Sequence, residues 1–180
     1  ITTYRLYNRF ITDMTEKSSV ETIDLICNDI DSLLNDTWQL CDALTRDIKI
    51  QENLRVKFNS VSSQYSLDLS GSMDMASLST YRKDIFGVYV LGENGGRYKS
   101  NYYSFKPDDP RDSKWYQKIK NSPESIWFSP HEGSFIVRSS IEDRFISVGL
   151  PSSDKATGRI NGVICADIKD CLLYTSDAAD

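Results

Sequence analysis

The stretch from Ile85 to Tyr116 limits the possible folds more than any other. It opens Ile85-Phe86-Gly87-Val88-Tyr89-Val90-Leu91, breaks at Gly92-Glu93-Asn94-Gly95-Gly96 and resumes as Arg97-Tyr98-Lys99-Ser100-Asn101-Tyr102-Tyr103. Two β-rich, aromatic runs around an Asn-Gly-Gly break predict a hairpin, because glycine and asparagine supply the positive φ angles of a tight reversal. Asp109-Pro110-Arg111 then opens a helix. Asp109 is placed to cap it, Pro110 is preset for its first position, and Trp115 and Tyr116 lead its apolar side.

Upstream, apolar or small residues recur at Val20, Ile23, Cys27, Ile30, Leu34, Thr37, Cys41, Leu44 and Ile48, with acidic residues between them. Steps of three and four predict one long amphipathic helix. Ser18 and Ser19 are candidate caps, or residues 12–17 continue the helix upstream. The stripe suits packing along its own domain, and its spacing near ~3.5 residues also suits a parallel homodimer.

Residues 51–59 and 73–81 read as shorter helices joined by the Ser-rich run 60–72. After the Trp115 helix, residues 125–129 are a β candidate and Pro130-His131-Glu132-Gly133 is a turn. Residues 135–141 and 144–150 read as strands, and the polar loop 151–158 precedes a last strand at 159–168. The fold class predicted is α+β: a long N-terminal helix within residues 1–50, packed on a five-stranded antiparallel PAS-like sheet within residues 51–170.

Composition narrows the function classes. A formal charge of −5 over 180 residues, with scattered Lys and Arg, argues against nucleic-acid binding, and 39% hydrophobic content suits a packed core. No apolar run approaches the ~20 residues of a membrane span. Cys27 and Cys41, fourteen residues apart on one helix, would lie ~21 Å from each other, beyond disulfide reach. His131 is the single histidine and there is no Cys-x-x-Cys, which argues against a Cys/His zinc site; no metal site and no cofactor are expected. His131 and Glu132 sit in a turn without a nucleophile elbow, and Gly92 to Gly96 lacks the Gly-Lys-Ser/Thr of a phosphate loop. No catalytic residue is expected.

The order of strand, Asn-Gly turn, strand, Asp-Pro-Arg opening and Trp-Tyr pair resembles the extracytoplasmic Cache domains of bacterial receptors, most of all the double Cache sensors of histidine kinases. The resemblance covers residues 10–170. Residues 171–180 resemble an in-frame translation of a transposon-end sequencing adapter and are set aside, which changes the formal charge from −5 to −3 by removing Asp177 and Asp180. What the resemblance implies is a ligand-sensing domain outside the cell membrane, held by flanking transmembrane segments. The leading helix would follow the first segment and the last strand would lead to the second.

The helix opening is the predicted site. Its unpaired amides and the flat faces of Trp115 and Tyr116 suit a small polar metabolite or a sugar. Arg111, Tyr103, Trp127 and Asp167 complete the expected set. Cache domains that bind amino acids carry an arginine two residues before the tryptophan, a Tyr-x-Asp pattern and a last-strand aspartate. Trp115 and Asp167 match, but Ser113 stands in the arginine's place and Phe128 and Pro130 stand where Tyr-x-Asp is expected. Losing half the set disfavours an α-amino acid, with Arg111 the nearest substitute. The leading expectation is a histidine-kinase sensor. The alternatives are the same module in a chemotaxis receptor or diguanylate cyclase, or a cytoplasmic PAS-like partner- or cofactor-binding domain.

Overall fold

The computed structural model describes residues 2–57, 84–100, 104–106, 108–134, 136–137 and 144–169. The helix expected at 73–81, the run 60–72, Tyr103 and the 171–180 tail lie outside the described residues, and of the helix expected at 51–59 the described part ends at Arg55.

The chain divides into two units, Ile1–Asp36 and Thr37–Asp180. Helix α1 runs Thr2–Arg46. In the first unit it passes straight through the expected caps: Ser19 Oγ and Thr22 Oγ1 donate to the carbonyls of Thr15 and Ser18 four residues back. Those hydroxyls are satisfied within the helix, so they do not start it. Val20 and Ile23 are 57% and 58% exposed. Among the described residues, no helix is long and apolar enough to cross a membrane.

In the second unit α1 ends at Arg46, and Asp47 caps α2, Ile48–Arg55, by accepting from the Ile50 amide at 3.0 Å. A central antiparallel sheet follows, built from β1 (Ile85–Gly92), β2 (Arg97–Lys99), β4 (Ile126–Glu132), β6 (Arg144–Ser153) and β7 (Ile160–Lys169). The strand order is β2-β1-β7-β6-β4. Two short strands, β3 (Ser104–Phe105) and β5 (Ile136–Val137), pair separately. The architecture is the α+β one predicted, a long helix with a five-stranded antiparallel sheet.

The pleat gives the sheet two apolar faces. Cys41 and Leu44 of α1 and Ile50 and Leu54 of α2 cover Val88, Val90, Val148, Ile164 and Ala166 on one side. On the other side Tyr89, Leu91, Val163 and Cys165 meet Tyr116 and Ile119 of helix α3, Lys114–Lys120. Gly149 lets α3 sit this low, since a Cβ there would come within 2.3 Å of Ile119 Cδ1. Cys27, Cys41 and Cys165 are free thiols.

Strand boundaries differ from the prediction: the second hairpin strand ends at Lys99, and Ile136–Val137, from the run expected at 135–141, pairs with β3 outside the five-stranded sheet. The expected turn at Pro130 to Glu132 is instead the end of β4, which the chain leaves at Gly133, whose φ of 78° glycine adopts without strain. Strand β6 also continues through Pro151 to Ser153, because the ladder with β7 holds to Ser153.

Candidate functional site

The helix opening predicted at Asp109 forms in two steps. Asp109 caps a single 3-10 turn, Pro110–Asp112, by accepting from the Arg111 amide at 3.0 Å. The backbone then extends at Ser113 (φ −80°, ψ 145°), and Ser113 caps α3 by accepting from the Tyr116 amide at 3.3 Å. Its hydroxyl also donates to the Pro110 carbonyl at 2.5 Å. Two short oxygen-bearing side chains four residues apart each offer the chain a start, which splits one expected helix into two. The serine in the arginine's place therefore has a local structural task.

A cleft of about 330 Å³ opens between this corner, β4 and the face of the sheet. Trp115, Ile119 and Phe128 are its apolar walls. Tyr89, Ser134 and Ser147 form a polar floor, and Lys106, His131 and Glu132 stand among its lining residues. A β-bulge between Phe128 and His131 shapes this wall. Residues three apart in a regular strand point to opposite faces, but one extra residue lets Phe128 pair with Ser147 and His131 with Phe145 on the same face. Lys118 Nζ lies 5.5 Å from the centre of the Phe128 ring, a cation–π contact on the outer side.

Asp167 lies under this floor and is completely buried. Ser134 and Ser147 donate to its two carboxylate oxygens, and the Tyr89 phenol approaches at 3.3 Å. Burial pushes the Asp167 carboxyl above its ordinary range, against the downward pull of the Ser134 and Ser147 hydroxyls. The same burial, reinforced by Asp167, raises Tyr89 and Cys165. No Lys or Arg pairs with Asp167 among the described residues.

His131 Nδ1 sits 2.9 Å from the Ser129 carbonyl, so that nitrogen carries the proton, and Nε2 is 3.4 Å from Ser147 Oγ. The serine stands between imidazole and carboxylate. A nucleophile would need the histidine between serine and aspartate, so this order does not activate Ser147. Among the described residues, no cluster of three or more His, Cys, Asp or Glu side chains is placed to hold a metal.

The structure separates the residues that the sequence grouped. Trp115 lines the cleft and Asp167 lies beneath it. Tyr116 is fully buried in the core, and its phenol donates to Glu93 at 2.7 Å. Arg111 lines a second, smaller cleft of about 160 Å³ at the hairpin turn. There it is held by Asp109, with Nη2 to Oδ2 at 2.5 Å, and Nη1 donates to the Glu93 carbonyl at 3.0 Å. This pairing draws the Asp109 carboxyl down to about 2. Trp127 pairs with Val148, on the sheet face opposite Phe128, and is 38% exposed.

Sequence reading missed Tyr89, Lys106, Ser134 and Ser147. Ser147 left one trace, a polar residue at an inward position of the otherwise apolar Phe145-Ile146-Ser147-Val148 run. The others left none, because their roles depend on which strands become neighbours.

No protein-family model matches the chain, and no curated protein sequence does. Solved structures do share the fold. The ligand-binding domain of the Pseudomonas aeruginosa PAO1 amino acid chemoreceptor PctC, in complex with GABA, aligns with a TM-score of 0.55 at 18% identity, over 83% of this chain and 61% of that one. The ligand-binding domain of Pseudomonas fluorescens chemoreceptor CtaA, in complex with L-isoleucine, gives 0.56 at 16% identity, over 87% of this chain and 58% of that one. The ligand-binding domain of Campylobacter jejuni chemoreceptor Tlp3, in complex with 4-methylisoleucine, gives 0.57 at 16% identity, over 83% and 56%. This chain therefore has the fold of chemoreceptor ligand-binding domains and spans about three fifths of their length.

Proposed function

We propose that this chain is a ligand-sensing domain carried outside the membrane by a transmembrane receptor, and that its cleft takes a small amine-bearing metabolite of the amino-acid type. Asp167 carries the reading. A completely buried carboxylate with hydroxyl donors and no Lys or Arg partner among the described residues is costly to keep, and an incoming ammonium group would complete it. Trp115 and Phe128 offer apolar faces to the rest of such a ligand.

The sequence alone favours a histidine-kinase sensor and a sugar or polar metabolite. The fold neighbours support the chemoreceptor alternative and an amino-acid-type ligand instead, since all three are chemoreceptor domains and hold L-isoleucine, 4-methylisoleucine or GABA. A homodimer through α1 belongs to the same reading, supported by the exposed Val20 and Ile23. Sedimentation of wild type against Ile23→Lys tests that part. The energy for signalling is the ligand's differential affinity for two arrangements of the domain.

The test is a thermal-shift panel of L-isoleucine, L-alanine, GABA, sugars and organic acids on the full chain. An amino-acid-type compound is expected to raise the melting temperature, and Trp115→Ala should abolish that shift while keeping the far-ultraviolet circular dichroism of wild type. A sugar acting where no amino acid or GABA does would overturn the reading. So would unfolding of Trp115→Ala.

A further inference from the structure

We infer that Lys106 is the cation that receives the ligand's carboxylate, so that the cleft selects molecules carrying both an amine and a carboxylate. This rests on the cleft being the ligand site, as proposed above, and assigns the half of recognition that Asp167 cannot perform. The position where the sequence resemblance expects an arginine holds Ser113, which is occupied in capping α3. Arg111 is committed to Asp109 and Glu93 and lines the neighbouring cleft. Arg97 lines that neighbouring cleft too, and its Nη1 donates to the Lys106 carbonyl at 3.1 Å.

Lys106 is the only Lys or Arg among the described residues lining the larger cleft. It is half-buried, and its backbone is held by that Arg97 bond. Its ammonium pairs with no described carboxylate, although the exposed Asp108 and Glu132 share the wall. A partly desolvated ammonium without a counterion is an open valence for an anion. Gly133 makes room for it, since a Cβ there would lie 3.2 Å from Lys106 Nζ at a backbone φ of +78°. Carboxylate underneath and ammonium at the wall form an opposed pair, the charge pattern that a zwitterion complements.

Isothermal titration of wild type, Lys106→Met and Lys106→Arg with L-isoleucine, L-alanine and GABA tests this. For whichever of these wild type binds, Lys106→Met is expected to weaken binding about tenfold or more, and Lys106→Arg to keep it within about threefold. A Lys106→Met protein that melts like wild type and binds within about threefold of it would overturn the inference while leaving the reading of the cleft intact. Wild type binding none of the three would overturn both.

Discussion

The phenol of Tyr116 donates to the carboxylate of Glu93 at 2.7 Å, joining helix α3 to the turn of the β1–β2 hairpin. Lys120 Nζ reaches the other Glu93 oxygen at 2.6 Å. Glu93 pays for partial burial, but hydrogen bonds from Lys120 and Tyr116 outweigh that cost and lower its carboxyl. A depressed carboxyl stabilises the fold above its unfolded value, ordinarily 4.5, and loses that contribution as pH falls through the folded value. Tyr116→Phe is therefore expected to cost about 1 kcal/mol near neutral pH, read from urea denaturation, and clearly less in acid. An equal loss at every pH would rule out this linkage.

Asp167 works in the opposite sense. Its folded carboxyl is raised by burial, so its contribution to stability is full below the unfolded value, ordinarily 3.8, and is lost as pH rises through the folded one. In Asp167→Asn the pH-dependent penalty disappears. The melting temperature of the variant relative to wild type should rise as pH climbs above the ordinary carboxyl value of 3.8, while the thermal shift from an amino-acid-type ligand is lost. A difference that stays flat with pH would mean the carboxylate is already compensated in the free protein.

Gly149 and Ile119 form a steric pair. Adding a methyl group by Gly149→Ala places it 2.3 Å from Ile119 Cδ1, so α3 must lift or Ile119 must turn. The expected cost is about 1–3 kcal/mol, with weaker ligand binding because Trp115 rides on the same helix. Ile119→Val removes the nearest atom, so the double variant should lose less than the sum of the two singles. Strict additivity in denaturation experiments would show that the helix does not bear on Gly149.

The parts of the molecule legible in the sequence were those set by local rules. The steps of three and four through Cys41 and Leu44 mark the helix, and Gly-Glu-Asn-Gly-Gly marks the hairpin turn, where Asn94 Oδ1 accepts from the Gly96 amide at 3.0 Å. The α+β class followed from their order. Side-chain roles were less legible because they depend on register. Tyr116 looked like half of an aromatic binding pair, but helical geometry turns adjacent residues about 100° apart, so one faces the cleft and its neighbour the core. Trp127 and Phe128 divide the same way across a strand. Arg111 reads as available in the sequence, but Asp109 two residues away closes on it.

The extra residue between Phe128 and His131 means that length, as much as side-chain chemistry, shapes this wall of the cleft. Deleting one residue there would leave Phe128 and His131 two apart on a regular strand, still on one face but without the local bend and added twist of the bulge, while the β1–β7 and β6–β7 rungs kept their partners. Three nucleotides gained or lost at this point would thus bend or straighten one side of the cleft without redesigning the frame behind it.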